Sequence, residues 1–183
     1  GKPVSTAEPW HVWLRHPELA RHVDFITVHL LPYWEGVPRE HALDYALARY
    51  DELKRAFPKK RIVIGEIGWP SRGDRVGGAV ASPADQARFV REFLARTAGE
   101  RLDYYLMERF AQPWKQAHEG RAGAYWGMHH ADRTPKFALD GSRLSTKLES
   151  AFLTLTVPHG LDTILSTPGR DYQILPPDDF VLR

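Results

Sequence analysis

RIVIGEIGWPS, residues Arg61–Ser71, is the stretch on which the fold turns. Its first half is β-branched and apolar, as in a strand covered on both faces. One carboxylate, Glu66, stands where the run ends. Turn and aromatic residues follow shortly after it: Gly68, Trp69, Pro70 and Ser71. An acid at the end of a buried strand, just before a turn, is placed as the active residues of α/β proteins are placed, at the carboxyl ends of strands.

Working outward, strand-like and helix-like segments alternate. Upstream, DFITVHLL (Asp24–Leu31) is another near-continuous apolar run, and Pro3–Ala7 reads as a short strand. Trp10–Val23 reads as helical or loop-helical. Between the two long runs, Leu43, Ala46, Leu47, Tyr50, Leu53 and Phe57 recur at helical spacing over Arg39–Phe57, and Pro58 stops the helix. Downstream, Ser82, Pro83 and Asp85 form a helix start signal for Ser82–Gly99. Leu102–Phe110 reads as a further strand, and an aromatic-rich irregular stretch runs to about Asp140, with a short strand expected at AYWGMHH. The order β-α-β-α-β-α-β predicts a parallel sheet with crossover helices. HLLPYWEG, EIGWPSRG and ERFAQPWK all follow strands, so three aromatic clusters, each with a carboxylate, are expected on one rim. Gly141–Arg183 is rich in Pro and Asp towards its end and reads as a tail, with SRLSTKLESAFL as a helix and TLTV as a short strand.

Composition narrows the function. The 183 residues carry a net charge of +2, which argues for neither nucleic acid nor an anionic membrane as partner. There are no cysteines, and the nine histidines form no metal-ligand pattern. No apolar run approaches the ~20 residues that cross a bilayer. The Gly-rich SRGDRVGGAVAS lacks the spacing of a phosphate loop and reads as a flexible rim loop. Six Trp and seven Tyr fit either a large aromatic core or a site that stacks on sugar rings.

At VIGEIGWPS the sequence resembles glycoside hydrolase family 17, the β-1,3-glucanases and β-1,3-glucanosyltransferases. FITVHLLPYWEG, YYLMERFAQPWK, GAYWGMHHADRTPKF and VSTAEPW resemble that family's later segments in the same order, over Pro3 to about Asp140. HLLPYWEG and AEPW give it a bacterial flavour. The resemblance implies a (β/α)8 TIM barrel, of which this chain holds strands five to eight: a half barrel over residues 1–140, with 141–183 as the tail. It implies retaining chemistry on β-1,3-glucan through a covalent glycosyl-enzyme intermediate, no metal or organic cofactor, and a periplasmic or extracellular-facing location. Glu66 is then the nucleophile. Such chemistry needs two carboxyls about 5–5.5 Å apart, and the family's general acid/base, usually after an Asn, is not found, since the chain has no Asn. Glu8, Glu35 and Glu108 are the acids to weigh for it. Glu8 is better read as a helix N-terminal charge, Glu35 as a solvated loop acid, and Glu108 as support for the nucleophile or a sugar hydroxyl.

His29 and Tyr33 are candidates to hydrogen-bond Glu66 or the sugar, Trp69 to floor the sugar site, and Trp114, Lys115 and Trp126 to build subsites. Read without the resemblance, His29 is a hydrogen-bonded core histidine, Trp69 a packing aromatic, and the others packing or surface residues. Ala111 and Gln112 depart from the family's Asp and Glu, and Leu31 from its Tyr. The partner implied is a β-glucan. A catalytically incomplete half barrel that binds glucan or serves structure is the rival reading, with self-association covering its open edges.

Overall fold

A computed structural model describes residues 1–137. The elements are β1 (Ala7–Pro9), α1 (Trp10–Arg15), a 3-10 turn (Pro17–Arg21), β2 (Ile26–Leu30), α2 (Arg39–Ala56), β3 (Ile62–Ile67), α3 (Pro83–Thr97), β4 (Asp103–Leu106), a second 3-10 turn (Pro113–Lys115) and α4 (Gln116–Gly123). The four strands form one sheet in the order β1-β2-β3-β4, and every pairing is parallel. The chain is therefore an α/β fold with a parallel sheet, as the alternation predicts. The expected tail, with its helix and strand, lies outside the described residues.

The helices form where their signals stand. Pro58 follows α2 directly after Phe57, whose backbone N–H closes the helix on the Leu53 carbonyl at 2.8 Å. Ser82 caps α3 by accepting from the Asp85 backbone N–H at 3.0 Å, and Pro83 opens the first turn. Arg39 is buried between α2 and α3, where it donates to Glu92 at 2.7 Å and to the Asp85 carbonyl at 3.2 Å.

Three expectations shift. The first strand is Ala7–Pro9 rather than Pro3–Ala7, because the Val4 backbone is taken up by Asp24, whose backbone N–H donates to the Val4 carbonyl and whose carboxylate accepts the Val4 N–H. AYWGMHH forms no strand, only a bridge of His129 to Phe110 and to Pro135. The second 3-10 turn and α4 lie inside the stretch expected to be irregular; Gly120, at φ +68°, kinks α4, and no apolar period marks it.

Alternation explains the two faces of the sheet. Ile26, Val28 and Leu30 point into the helix-covered core and are essentially inaccessible, while Thr27 and His29 point to the other, open face. Ile62 and Ile64 pair with Ile26 and Val28, so they too face the helices. Glu66 shares their even count and would follow them inward. It does not, because the register shifts between Ile64 and Ile67: Glu66 pairs with His29, and Ile67 pairs with Leu30. The extra residue is Gly65, a β-bulge that returns Glu66 to the open face and Ile67 to the core.

A glycine is needed there. A Cβ on Gly65 would lie 2.5 Å from Thr27 Cγ2 and 3.2 Å from the His29 ring. Gly65→Ala is expected to cost about 1–3 kcal/mol through this overpacking. At about 2–4 °C per kcal/mol for a chain of this size, thermal unfolding should show it plainly. Adding Thr27→Ser removes the clashing methyl and keeps the hydroxyl bond to Ser5, so the double variant should recover at least half of the loss.

The loop after β3, read from sequence as flexible, is fastened. The Gly78 N–H donates to the Gly36 carbonyl at 2.8 Å, Val76 and Ala79 bridge each other, and the Tyr33 hydroxyl donates to the Asp74 carbonyl. Gly36 and Gly77, both at positive φ, let the two backbones meet where a Cβ on Gly77 would lie 3.1 Å from Gly36 Cα. The segment beyond α4 is tied back by Lys136, whose ammonium donates to Ser71 Oγ at 2.8 Å and to the Tyr125 carbonyl at 3.1 Å.

Burial pushes the Lys136 amine down to about 8, against the attraction of Glu108 and with help from Arg72. Its folded value lies below its unfolded one, so the folded chain holds fewer protons between the two. This group's contribution to stability is complete above the ordinary lysine range and is lost as pH falls through about 8. Compared with Lys136→Met, the parent should therefore gain stability from about pH 8 upward, measured by denaturant melts at stepped pH.

Candidate functional site

The open-face residues at the strand ends make the site. Glu66 Oε2 lies 3.3 Å from His29 Nδ1 across the β2–β3 pairing, with side chains 38% and 26% exposed, so the carboxylate is reachable from solvent. The bulge at Gly65 is what sets this pair side by side. A second acid follows β4. Glu108 accepts from Lys115 at 2.7 Å and from the Gln112 amide through the same oxygen. Its other oxygen, Oε1, is buried without a partner. Gln112 therefore puts a neutral donor against Glu108 where the resemblance leads one to expect a carboxylate, which would repel it.

A cleft of about 480 Å³ opens at this rim, lined by Leu31, Trp34, Glu66, Met107, Lys115, His118 and Glu119. That size suits a small ligand. The loops after β2 and β4 contribute, with β3 itself through Glu66 and α4 as a further wall, so the rim convergence expected from the sequence is present only in part: Glu35, Trp69, Glu108 and Trp114 are not among the lining residues. Of the candidate site residues, Glu66 and Lys115 line the cleft. His29 touches it through Glu66, and Glu108 through Lys115.

The other four stand elsewhere. Tyr33, Trp69 and Trp126 are fully enclosed, so none presents a face to a ligand. The Trp69 indole N–H donates to the Val80 carbonyl at 3.1 Å, and its ring stacks on Phe89 at 5.9 Å, so its place is the core rather than a sugar floor. Tyr33 spends its hydroxyl on the Asp74 carbonyl, away from Glu66. Trp114 is 65% exposed and is not among the cleft-lining residues.

Sequence reading misses Leu31, Trp34, Met107, His118 and Glu119 as lining residues. Trp34 carries a signal, since it stands beside Tyr33 in the rim stretch HLLPYWEG. His118 and Glu119 carry none, because the kinked α4 lacks an apolar stripe.

The other acids weighed as acid/base stand apart from the cleft lining. Glu8 pairs with Val28 in the sheet and so shares the helix-facing side, opposite Glu66; it accepts from Thr6 at 3.0 Å. Glu35 is not simply a solvated acid. It accepts from the Trp10 indole at 2.9 Å and the Tyr45 hydroxyl at 2.7 Å. Burial first, and then this carboxylate, push the Tyr45 phenol up to about 12.

A parallel α/β sheet with an acid at a strand end, opening on a ligand-sized cleft, has the site placement of α/β enzymes. Residues 1–127 match the model of the BtgE/BtgC glycoside hydrolase domain, and the chain belongs to that family. It is 28% identical over 153 residues to a glucan 1,3-beta-glucosidase of Arthroderma benhamiae, an alignment covering 75% of this chain and 50% of that protein. A glucan 1,3-beta-glucosidase of Schizosaccharomyces pombe is 26% identical, covering 75% and 45%. Among solved structures, a glycoside hydrolase family 17 beta-1,3-glucanosyltransferase from Rhizomucor miehei superposes with a TM-score of 0.67 at 27% identity, over 76% of this chain and 51% of that one. An active-site mutant of that enzyme was solved in complex with laminaritriose, with the same similarity to this chain. The chain thus spans about half the length of the curated relatives it matches. These relatives are fungal, which does not support the bacterial flavour read from HLLPYWEG and AEPW. Among the described residues, no helix is long and apolar enough to cross a membrane.

Proposed function

We propose that this chain carries the nucleophile of a retaining glycoside hydrolase or transglycosylase acting on β-1,3-glucan. One observation carries the reading: Glu66 is an accessible carboxylate on the open face of a parallel sheet, at a strand end, on the wall of a ligand-sized cleft. Glu66 would attack the anomeric carbon as the glycosidic bond breaks, forming a glycosyl ester, while the general acid protonates the glycosidic oxygen so that the leaving sugar departs with a free hydroxyl. Water or a sugar hydroxyl would then release the glycosyl group with a second inversion, giving net retention. His29, beside Glu66, orients the carboxylate. Lys115 and Glu108 act as a charged pair toward sugar hydroxyls.

The proton donor is assigned to the first half of a barrel, outside the four strands described, so that these strands serve as strands five to eight of eight. Two facts support this: relatives match over about half their length, and the sheet leaves one face open. Tyr105, 67% exposed, stands on β4 among the open-face residues.

The test is product analysis of β-1,3-linked gluco-oligosaccharides incubated with the protein, with the anomeric configuration followed by NMR. Shorter or longer oligosaccharides formed with retention support Glu66 as the nucleophile and, if this chain alone forms them, overturn the assignment of the proton donor to a first half of the barrel. Products of inverted configuration would overturn it.

The open face also favours a second reading, a catalytically incomplete half barrel that binds glucan and self-associates to cover its edges. Light scattering should then report a dimer, and a monodisperse monomer removes this possibility.

A further inference from the structure

One fully buried polar side chain has no part in the reading above. Gln86, on α3, is completely enclosed. Its amide nitrogen donates toward three consecutive carbonyls beyond α4: Tyr125 at 3.4 Å, Trp126 at 2.8 Å and Gly127 at 3.2 Å. Its oxygen, Oε1, is buried without a partner. The group is therefore present for its N–H bonds, and a flipped amide would set oxygen against three carbonyl oxygens. An apolar side chain of the same length would fill the space without burying an orphan acceptor, which is costly. What the amide adds is a fixed course for one backbone segment.

That segment holds the second acid. The Met107 N–H still bonds to β3, at the Ile67 carbonyl, but the Glu108 backbone bonds elsewhere. Its N–H donates to the Trp126 carbonyl at 3.3 Å, and its carbonyl accepts from the Met128 N–H at 2.8 Å. The Trp126 carbonyl is thus shared by Gln86 and Glu108. The Tyr125 carbonyl is shared as well, with the Ser71 N–H at 3.0 Å, five residues after Glu66. The side-chain partners of Glu108, Gln112 and Lys115, come from the turn that follows it, so they join the pair together without placing it against the sheet.

We infer that Gln86 is a positioning residue of the cleft: by gathering the carbonyls of residues 125–127 it fixes the backbone of Glu108, and with it the Glu108–Lys115 pair on the cleft that Glu66 also lines. This rests on the reading of that pair, above, as a partner of sugar hydroxyls. Donors and acceptors that recognise hydroxyls must be held within about 0.5 Å, by residues whose own places are fixed. Lys115 reaches the cleft and Glu108 holds Lys115, so the chain of support runs from the helix layer through residues 125–127 to Glu108 and on to the ammonium.

The experiment compares Gln86→Met, of similar length but without the N–H bonds, with Leu53→Ala, a truncation of a buried residue on α2 outside this set of bonds. Amide hydrogen exchange is read at Glu108 and Met128 as a ratio to Ile64 in β3. A β-1,3-linked glucose pentasaccharide is titrated calorimetrically in a Glu66→Gln background, which prevents turnover. Gln86→Met should raise the exchange ratio about 10-fold and weaken binding about 10-fold. Leu53→Ala lowers the melting temperature but should leave both within about 2-fold, since it loosens the fold as a whole. Gln86→Glu gives a graded version: protonated it keeps one donor, ionised it sets charge against three carbonyls, so its exchange ratio should climb with pH while the parent's stays level. An exchange ratio unchanged in both Gln86 variants overturns the positioning role. A raised ratio with binding as tight as the parent's overturns its service to the cleft, as does equal weakening by Leu53→Ala. A parent that binds no β-1,3 chain removes the glucan reading, and the exchange ratio alone then decides whether Gln86 holds Glu108.

Discussion

In a protein that supplies both halves of the proposed barrel, Glu66→Gln is expected to lower kcat on β-1,3-gluco-oligosaccharides by about 10⁴-fold or more, because loss of the proposed nucleophile removes a covalent step rather than weakening it. The amide keeps the size and one acceptor of the carboxylate, so the contact with His29 at 3.3 Å changes little and the fold should stand. Thermal unfolding within a few degrees of the parent, together with the lost turnover, would separate chemistry from stability. A second measurement sharpens this. Azide admitted to the space vacated in Glu66→Gly can attack the anomeric carbon in the carboxylate's place by a single displacement, so that variant should give a glycosyl azide of inverted configuration. Undiminished turnover in Glu66→Gln would remove Glu66 from the mechanism.

Trp69→Ala is expected to have the largest effect on stability, about 3–5 kcal/mol, as for other buried Trp truncations. The ring is inaccessible, stacked on Phe89, abutted by Tyr33 and hydrogen-bonded to Val80. A drop of roughly 6–20 °C in thermal unfolding follows for a chain of this size. Trp69→Phe should lose much less, because it keeps most of the ring. Were Trp69 a sugar floor, the Phe variant would raise KM without moving the melt; the packing role reverses that pattern.

The contrast between Glu66 and Trp69 shows what is legible in the sequence. Element order and parallel topology follow from period and caps: the apolar runs at 24–31 and 61–67, the i, i+4 stripe ending at Pro58, and the Ser82–Pro83 start all sit where local chemistry puts them. The motif that names Glu66 also names Trp69, three residues on, and linear proximity does not say which of the two faces the cleft. Packing decides it. Trp69 completes a core already rich in aromatics, whereas Glu66 cannot be buried uncompensated. Trp34 escapes notice for the mirror reason, since a tryptophan beside a tyrosine reads equally well as core. Its partial exposure depends on Trp126, ninety-two residues later in the chain. The wall from α4 is hidden because Gly120 breaks its geometry.

A strand has a reading frame of two, and Gly65 acts as a one-residue frameshift within it. Downstream of it, every side chain of β3 is read on the opposite sheet surface from the one its count from Ile62 would give. Were the strand to run on in register through residue 65, the same letters would turn the carboxylate toward the helices and Ile67 toward the open face. Deleting residue 65 outright, by contrast, closes the count and leaves the acid opposite His29, where it already stands. The face toward which the acid points is thus set by how the backbone accommodates one surplus residue, independently of the identity of the acid. In this chain a surplus residue at that position must be small, because its Cβ would run into Thr27 and His29.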